Sequence, residues 1–135
     1  MKKIVTINFL LIVSFALVLF QACDDTNNPA KLDSTIIPSK NVSFSKYIYP
    51  VFNQRCNSVG CHDDESQAAG ISLTTWSNVV RDYLVVAPGD PQNSRLVWAI
   101  EGNGAQLMPP IGSYGLTTNQ IDGIKTWIKE GAKNN

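Results

Sequence analysis

Apolar residues recur at three- and four-residue spacing in several segments of the chain, and this period predicts helices. The clearest predicted helix follows Thr117, which forms a capping box with Gln120, and it ends before Gly131. Its apolar positions are Ile121, Ile124, Trp127 and Ile128. We expect this helix to cross the first helix of the domain and to complete a crevice there.

That first helix is predicted just before position 56, with Ser43 or Ser45 as its cap. Pro50 lacks an amide hydrogen, so the helix either starts near Pro50 or kinks there. Its apolar stripe consists of Phe44, Tyr47, Ile48, Val51 and Phe52.

Two further helices are predicted between these. Thr74 or Thr75 can cap a short helix that carries Trp76, a residue we assign to the wall of the core. Asp90 suits an N-cap and the following proline suits the first helical position, so another helix is predicted to begin there, with Gly102 and Gly104 marking its end.

The N-terminus has the layout of a secretory signal, since two lysines precede an apolar run over residues 4–20. Ala22 stands directly before Cys23, which resembles a bacterial lipoprotein box except that Phe20 replaces the usual leucine. These features predict a signal peptide over residues 1–22 and lipidation of Cys23. The alternative is an uncleaved membrane anchor, and both outcomes tether an exported protein to a membrane.

Residues 23–40 are polar, contain Pro29 and Pro38, and show no useful periodicity. We therefore predict a flexible tether over residues 23–40 and one folded domain over residues 41–135.

Charge adds little to this picture. The chain has eleven basic and eleven acidic residues, and removal of Lys2 and Lys3 with the signal leaves nine against eleven, a net charge of minus two. This balance gives no indication of nucleic-acid binding.

The candidate chemistry is concentrated in Cys56, Cys61 and His62, which include two of the three cysteines and the only histidine of the chain. The common form of this motif, C-x-x-C-H, attaches c-type haem through two thioethers and one iron-bound imidazole. Here the cysteines are separated by four residues, and the acidic residues 63–65 that follow are expected to be solvated. Haem attachment is the leading hypothesis. Ligating histidines usually need a hydrogen-bond partner that orients the ring, and a backbone carbonyl from residues 70–73 is the candidate for His62.

Met108 is the only methionine besides the initiator, and Pro109 and Pro110 restrict the backbone after it. A thioether is a soft, weak ligand that a chain must hold in place. With the motif upstream, Met108 is predicted to bind the haem iron opposite His62, although an isolated methionine in such a loop would be assigned to core packing.

A zinc site, a disulfide and a cysteine nucleophile are the alternatives to haem at this motif. A structural zinc site requires four ligands, and beyond the motif the chain offers only Cys23 and carboxylates. A disulfide between Cys56 and Cys61 is feasible in an exported protein. A cysteine nucleophile with His62 as its base fits worst, because adjacent residues rarely face one another.

Several segments together resemble cytochromes c, in particular the small single-haem domains of the planctomycete type. The resemblance runs from Tyr47 to Ala132 and includes the helix before Cys56, the Met108-Pro-Pro loop, VAPGDPQNS and LTTNQIDGIKTWIKEGA. It implies an all-α, class I cytochrome c-like domain of three to five helices around one covalent haem c. The family's roles carry onto Cys56 and Cys61 as thioether attachments, His62 as proximal ligand and Met108 as distal ligand.

The expected protein is therefore an electron carrier rather than an enzyme, held by lipidated Cys23 to a membrane and facing the periplasm or cell exterior. Its partners would be redox proteins that donate and accept electrons. The alternatives are a haem enzyme or gas or peroxide sensor in which Met108 dissociates, and a non-haem, disulfide-stabilised envelope lipoprotein.

Overall fold

Five α-helices lie in residues 28–135, which is the part of the chain that the computed structural model describes. No strand occurs in this range, so the prediction of an all-α domain of three to five helices is confirmed. The helices are α1 (Pro29–Ser34), α2 (Tyr49–Arg55), α3 (Trp76–Val79), α4 (Arg95–Glu101) and α5 (Thr118–Lys129). A π-helical turn (Phe44–Ile48) precedes α2, and 3-10 turns occupy Ala68–Gly70 and Pro91–Asn93.

The predicted signal peptide of residues 1–22 and the predicted lipidation site Cys23 lie outside the described residues. Among residues 28–135, no helix combines the length and the apolar character needed to cross a bilayer.

Pro50 accounts for the wide turn at the start of the first helix. Because Pro50 has no amide hydrogen, it cannot donate an α-helical hydrogen bond to the carbonyl of Lys46. The chain forms a π-helical turn instead, in which the amide of Tyr49 donates to the carbonyl of Phe44, and α2 then begins with Pro50 in its first turn. Ser43 is the cap, accepting from the amide of Lys46 at 3.2 Å.

Aromatic packing joins this first helix to α5. The ring of Trp127, which is fully buried, lies 5.3 Å from the Phe44 ring and 6.5 Å from the Phe52 ring, measured between centroids. The Phe52 and Trp127 rings meet edge to face, an arrangement favoured by the aromatic quadrupole. The predicted contact between the first and last helices is therefore confirmed.

The capping signals of the sequence are largely present. Thr117 and Gln120 form both bonds of the capping box at the start of α5, and Thr75, the second of the two candidates, caps α3. Gly131 and Gly102 both have positive φ just after α5 and α4, as residues that end helices often do.

The predicted cap at Asp90 is confirmed, but the helix that begins there is a 3-10 turn, and α4 starts later. Asp90 caps only the 3-10 turn that follows it, and the α-helix begins at Arg95. Between them, the buried hydroxyl of Ser94 donates to the carbonyl of Asp90 and accepts from the amide of Ala87, both at 2.9 Å. These local bonds compete with helical ones and hold the chain in the turn.

Residues 29–42, which we call the N-terminal strap, pack against the helices. Leu32 and Ile37 are 7% and 4% exposed and belong to the hydrophobic core. The Asn119 side chain binds the backbone of Ile37 twice, accepting at 2.8 Å and donating at 3.1 Å. The structure thus differs from the expected flexible tether of residues 23–40, because residues 29–40 are docked.

The far end of the strap is held by Glu130, at the end of α5. Its two carboxylate oxygens accept from the amides of Asn41 at 2.6 Å and Val42 at 2.8 Å. The bonds to Asn119 and Glu130 join residues more than eighty positions apart, so no local sequence pattern indicates the docking.

Gly123 gives a test of this docking. A Cβ added at Gly123 would lie 2.6 Å from Cγ2 of Ile37, closer than van der Waals contact allows. We expect Gly123→Val to lower the free energy of unfolding by about 1–3 kcal/mol through overpacking, measured by chemical denaturation. Gly115→Val is the matched control, because nothing lies within 4 Å of the corresponding position. Equal stability of the two variants would contradict the docked arrangement.

Candidate functional site

The motif begins where α2 ends. Cys56 is the C-cap residue, and its amide donates to the carbonyl of Phe52 at 2.9 Å. The next amide, that of Asn57, donates to the same carbonyl at 3.0 Å, and the Asn57 side chain donates to the carbonyl of Leu73 at 3.0 Å. Cys56 is therefore fixed at the end of a packed helix, with its side chain against the core.

The two additional residues between the cysteines are accommodated by a tight turn. The amide of Cys61 donates to the carbonyl of Ser58 at 2.9 Å, across Gly60 with φ of 86°. The amide of His62 then donates to the carbonyl of Cys56 at 3.1 Å. The chain thus returns to its starting point within six residues, so the longer spacing keeps His62 next to Cys56.

Asp63 holds this turn from the other side. Its carboxylate accepts from the amides of Gly60, Glu65 and Ser66 at 2.9–3.2 Å. The hydrogen bonds from Ser66 lower the pKa of Asp63 to about 2, because they favour the charged carboxylate. The expectation that Asp63 belongs to a merely solvated acidic run is wrong.

Asp64 is also structural. One of its oxygens accepts from the hydroxyls of Thr74 at 2.6 Å and Ser72 at 2.7 Å, and from the Asn78 amide nitrogen at 3.3 Å. The bonds from Thr74 and Ser72 lower the pKa of Asp64. They attach the segment after Ile71 to the segment after His62.

That attachment orients the imidazole. The Nδ1 atom of His62 lies 3.2 Å from the carbonyl oxygen of Ile71, and the amide of Leu73 donates to the carbonyl of His62 at 2.9 Å. Since a carbonyl can only accept, Nδ1 donates in this bond, and in the neutral imidazole the lone pair then lies on Nε2. The expected carbonyl from residues 70–73 is confirmed, and such a bond is the usual companion of a metal-ligating histidine.

Both cysteines of the motif are free thiols and partly buried. Burial, followed by repulsion from Cys61, raises the pKa of Cys56 to about 12, and the positive charge of Arg55 opposes this rise. Cys56 is therefore a neutral thiol at physiological pH. A neutral thiol is a poor nucleophile, which weighs further against nucleophilic catalysis by Cys56.

Met108 lies in the loop between α4 and α5. Its amide donates to the carbonyl of Ala99 at 2.9 Å, which fixes the loop against the last turn of α4. An ion pair of 2.6 Å between Glu101 and Lys125 joins α4 to α5 beside this point. Met108 is thus anchored through its backbone, and its side chain is partly buried.

The same loop approaches the motif at its other end. The Tyr114 ring lies over the guanidinium of Arg55, with 5.3 Å between the ring centroid and Cζ, and Arg55 directly precedes Cys56. Large apolar side chains of this loop are exposed, with Leu107 at 42%, Ile111 at 94% and Tyr114 at 76%. An apolar surface beside a candidate ligand is the kind of lining that a porphyrin would cover.

The donor set fits haem better than zinc. In residues 28–135, no three His, Cys, Asp or Glu side chains are grouped closely enough to hold a metal ion. Zinc requires its ligands to converge on one atom. Haem does not, because the thiols bond to the porphyrin edge while the imidazole binds the central iron. Haem therefore needs donors at separate positions. The chain offers such a set: two thiols, one imidazole and a thioether on a separate loop.

Comparison with known families agrees with this donor set. Residues 59–112 match the family model described as Planctomycete cytochrome C, which confirms over this segment the resemblance seen in the sequence. The match includes Cys61, His62 and Met108, begins after Cys56, and covers less than half of the chain. No curated protein and no solved structure matches the chain.

Sequence reasoning missed Arg55, although a signal was present. Arg55 stands four positions after Val51 and three after Phe52, so it shares the buried face of α2. Its side chain is only 2% exposed and forms a 2.6 Å ion pair with Asp33 of the strap. A charged residue continuing an apolar stripe is a reason to look for a buried partner.

The role of Asp63 can be tested by pH. A carboxyl whose pKa falls on folding contributes stability that is present above its unfolded value of 3.8 and is lost as pH falls towards about 2. We expect Asp63→Asn to destabilise the protein at pH 5–7 and to approach wild-type stability near pH 2, measured by denaturant unfolding across this range. Glu65→Gln, in the same exposed segment, is the control. A stability difference for Asp63→Asn that does not change with pH would contradict the assignment.

Proposed function

We propose that this protein is a membrane-tethered electron carrier with one covalent c-type haem, facing the periplasm or cell exterior. The observation that carries the proposal is the hydrogen bond between Nδ1 of His62 and the carbonyl of Ile71. This bond leaves Nε2 available to a metal. The amide of His62 also donates to the carbonyl of Cys56, so the two residues lie side by side. The family match over residues 59–112 supports the same cofactor.

Each candidate residue has a distinct task in this proposal. Cys56 and Cys61 hold the porphyrin through thioethers, which require each thiol to add across one vinyl group. His62 supplies the proximal nitrogen, and Met108 supplies the distal sulfur. The bound haem supplies a one-electron couple, whose electron comes from a reduced partner protein and passes to an oxidised one.

The arrangement of the chain suits transfer rather than catalysis. With His62 and Met108 both bound to the iron, no coordination position would remain for a substrate, and the hydrogen-bonded turn around Asp63 holds the segment of His62 in one geometry. The alternative of an enzyme or sensor needs Met108 to leave. It draws support from the exposure of residues 103–107, because a solvent-exposed loop opens more easily than a packed one.

The tether in this proposal is short. If Cys23 is lipidated, only residues 24–28 separate it from α1, so the lipid and the first helix can be at most ~20 Å apart. The docked strap then holds the haem domain close to the membrane surface. Redox partners would meet it there.

Covalent attachment is the most direct test. We expect the full chain, expressed with haem-maturation machinery, to retain haem peroxidase staining on a denaturing gel, because only thioether-bound haem survives denaturation. The double variant Cys56→Ser/Cys61→Ser should lose the stain. Cys23→Ala is the control, and it should keep the stain while losing label from radioactive palmitate. A colourless wild-type protein would favour the disulfide-stabilised envelope lipoprotein.

The distal ligand can be tested through the reduction potential. A thioether favours ferrous iron relative to a second imidazole, so Met108→His should lower the midpoint potential in a spectroelectrochemical titration. Met108→Leu should open a position and allow the reduced protein to bind carbon monoxide rapidly. Gln106→Ala, an exposed position in the same loop, is the control. Rapid carbon monoxide binding by the wild type would favour the sensor or enzyme.

A further inference from the structure

Arg55 carries an unusual charge for its position. Its side chain is 2% exposed, and its Nη2 donates to Oδ1 of Asp33 at 2.6 Å. The Nε atom is buried and has no hydrogen-bond partner. A guanidinium with an unpaired donor is not fully compensated by its surroundings, so part of its positive charge acts on neighbouring groups.

The compensation that exists comes from the N-terminal strap. Asp33 belongs to α1, and its Oδ1 also accepts from Nε2 of Gln120 at 3.2 Å. Hydrogen bonding with Arg55 is the largest cause that lowers the pKa of Asp33, so this carboxyl is charged at physiological pH. Asp33 is 44% exposed, and water therefore screens it more than it screens Arg55.

The charge of Arg55 lies next to the proposed haem attachment. Arg55 directly precedes Cys56, and the ring of Tyr114, in the loop between α4 and α5, lies over its guanidinium. Its positive charge already acts on the Cys56 thiol, where it opposes the rise in pKa caused by burial. Any group bonded to that sulfur would lie in the same field.

We propose that the Arg55–Asp33 pair sets the reduction potential of the haem, with Arg55 raising it and Asp33 of the strap lowering it. This inference rests on the proposed haem function. A positive charge stabilises ferrous over ferric haem, because reduction adds one negative charge. Asp33 offsets part of that effect. The strap therefore has two roles in this proposal, as part of the tether and as the source of a charge that acts on the haem. Arg55 and Asp33 are positioning residues, since neither is assigned to the iron.

Midpoint potentials of the full-length holoprotein test the proposal. Asp33→Asn keeps the shape and an acceptor oxygen but removes the charge, so it should raise the potential. Arg55→Gln should lower it. The double variant should lie between the two single variants and below the wild type, because Asp33 offsets only part of the effect of Arg55.

Two further variants separate charge from geometry. Asp33→Glu retains the charge and should stay closer to wild type than Asp33→Asn does, even if its packing is poorer. Asp122→Asn removes one negative charge at an exposed position two residues after Gln120 and should shift the potential less. Equal upward shifts in Asp33→Glu and Asp33→Asn would overturn the proposal, because geometry alone would then be sufficient.

Haem attachment and the midpoint potential test the haem function and the role of the Arg55–Asp33 pair separately. If wild-type protein lacks covalent haem, the proposed function fails. If haem is covalently bound and Asp33→Asn shifts the potential no more than Asp122→Asn does, the function stands and the role of the pair is refuted. Arg55→Gln can destabilise the fold, since it removes a buried partner. In that case the comparison of Asp33→Asn, Asp33→Glu and Asp122→Asn decides alone.

Discussion

The packing of Phe44 and Phe52 on the buried ring of Trp127 is the contact on which the rest of the structure depends. It fixes the helix before the motif against the last helix of the chain. Because α2 ends at Arg55, this packing also fixes the position of Cys56, which is the first residue of the candidate site. Loss of the contact would therefore release the site as well as the core, which makes stability and cofactor binding hard to separate in this small domain.

The two sides of the candidate site are held by different means. Around His62, backbone bonds to Cys56 and Leu73 combine with the carboxylates of Asp63 and Asp64 to form a closed network. The Met108 loop is held by fewer contacts: the amide of Met108 donates to the carbonyl of Ala99, and the Tyr114 ring lies over Arg55. The segment around His62 is therefore densely bonded and the Met108 loop sparsely bonded, so local opening requires fewer interactions to break in the Met108 loop.

Local signals in the sequence were sufficient for much of this fold. The capping box of Thr117, the cap at Thr75 and the stripe before Cys56 each depend on neighbours within one or two helical turns, so they could be predicted. The strap could not be predicted, because Asn119 and Glu130 bind it from the other end of the chain. The candidate ligands could be named from residue type and rarity. Their setting could be predicted only in part: a carbonyl from residues 70–73 was expected at the His62 ring, whereas the bonds to Asp63 depend on how the loop closes.

Stability alone does not account for the burial of Arg55. Replacing a buried ion pair with well-packed apolar residues is often neutral or stabilising, because desolvating two charges costs more than their attraction returns. Arg55 pairs with a half-exposed carboxylate and leaves Nε unpaired, which is a poor arrangement for stability. What the pair does supply is a fixed positive charge beside Cys56, partly balanced from the strap. In a protein that exchanges electrons at that position, such a charge acts directly on the free energy of reduction.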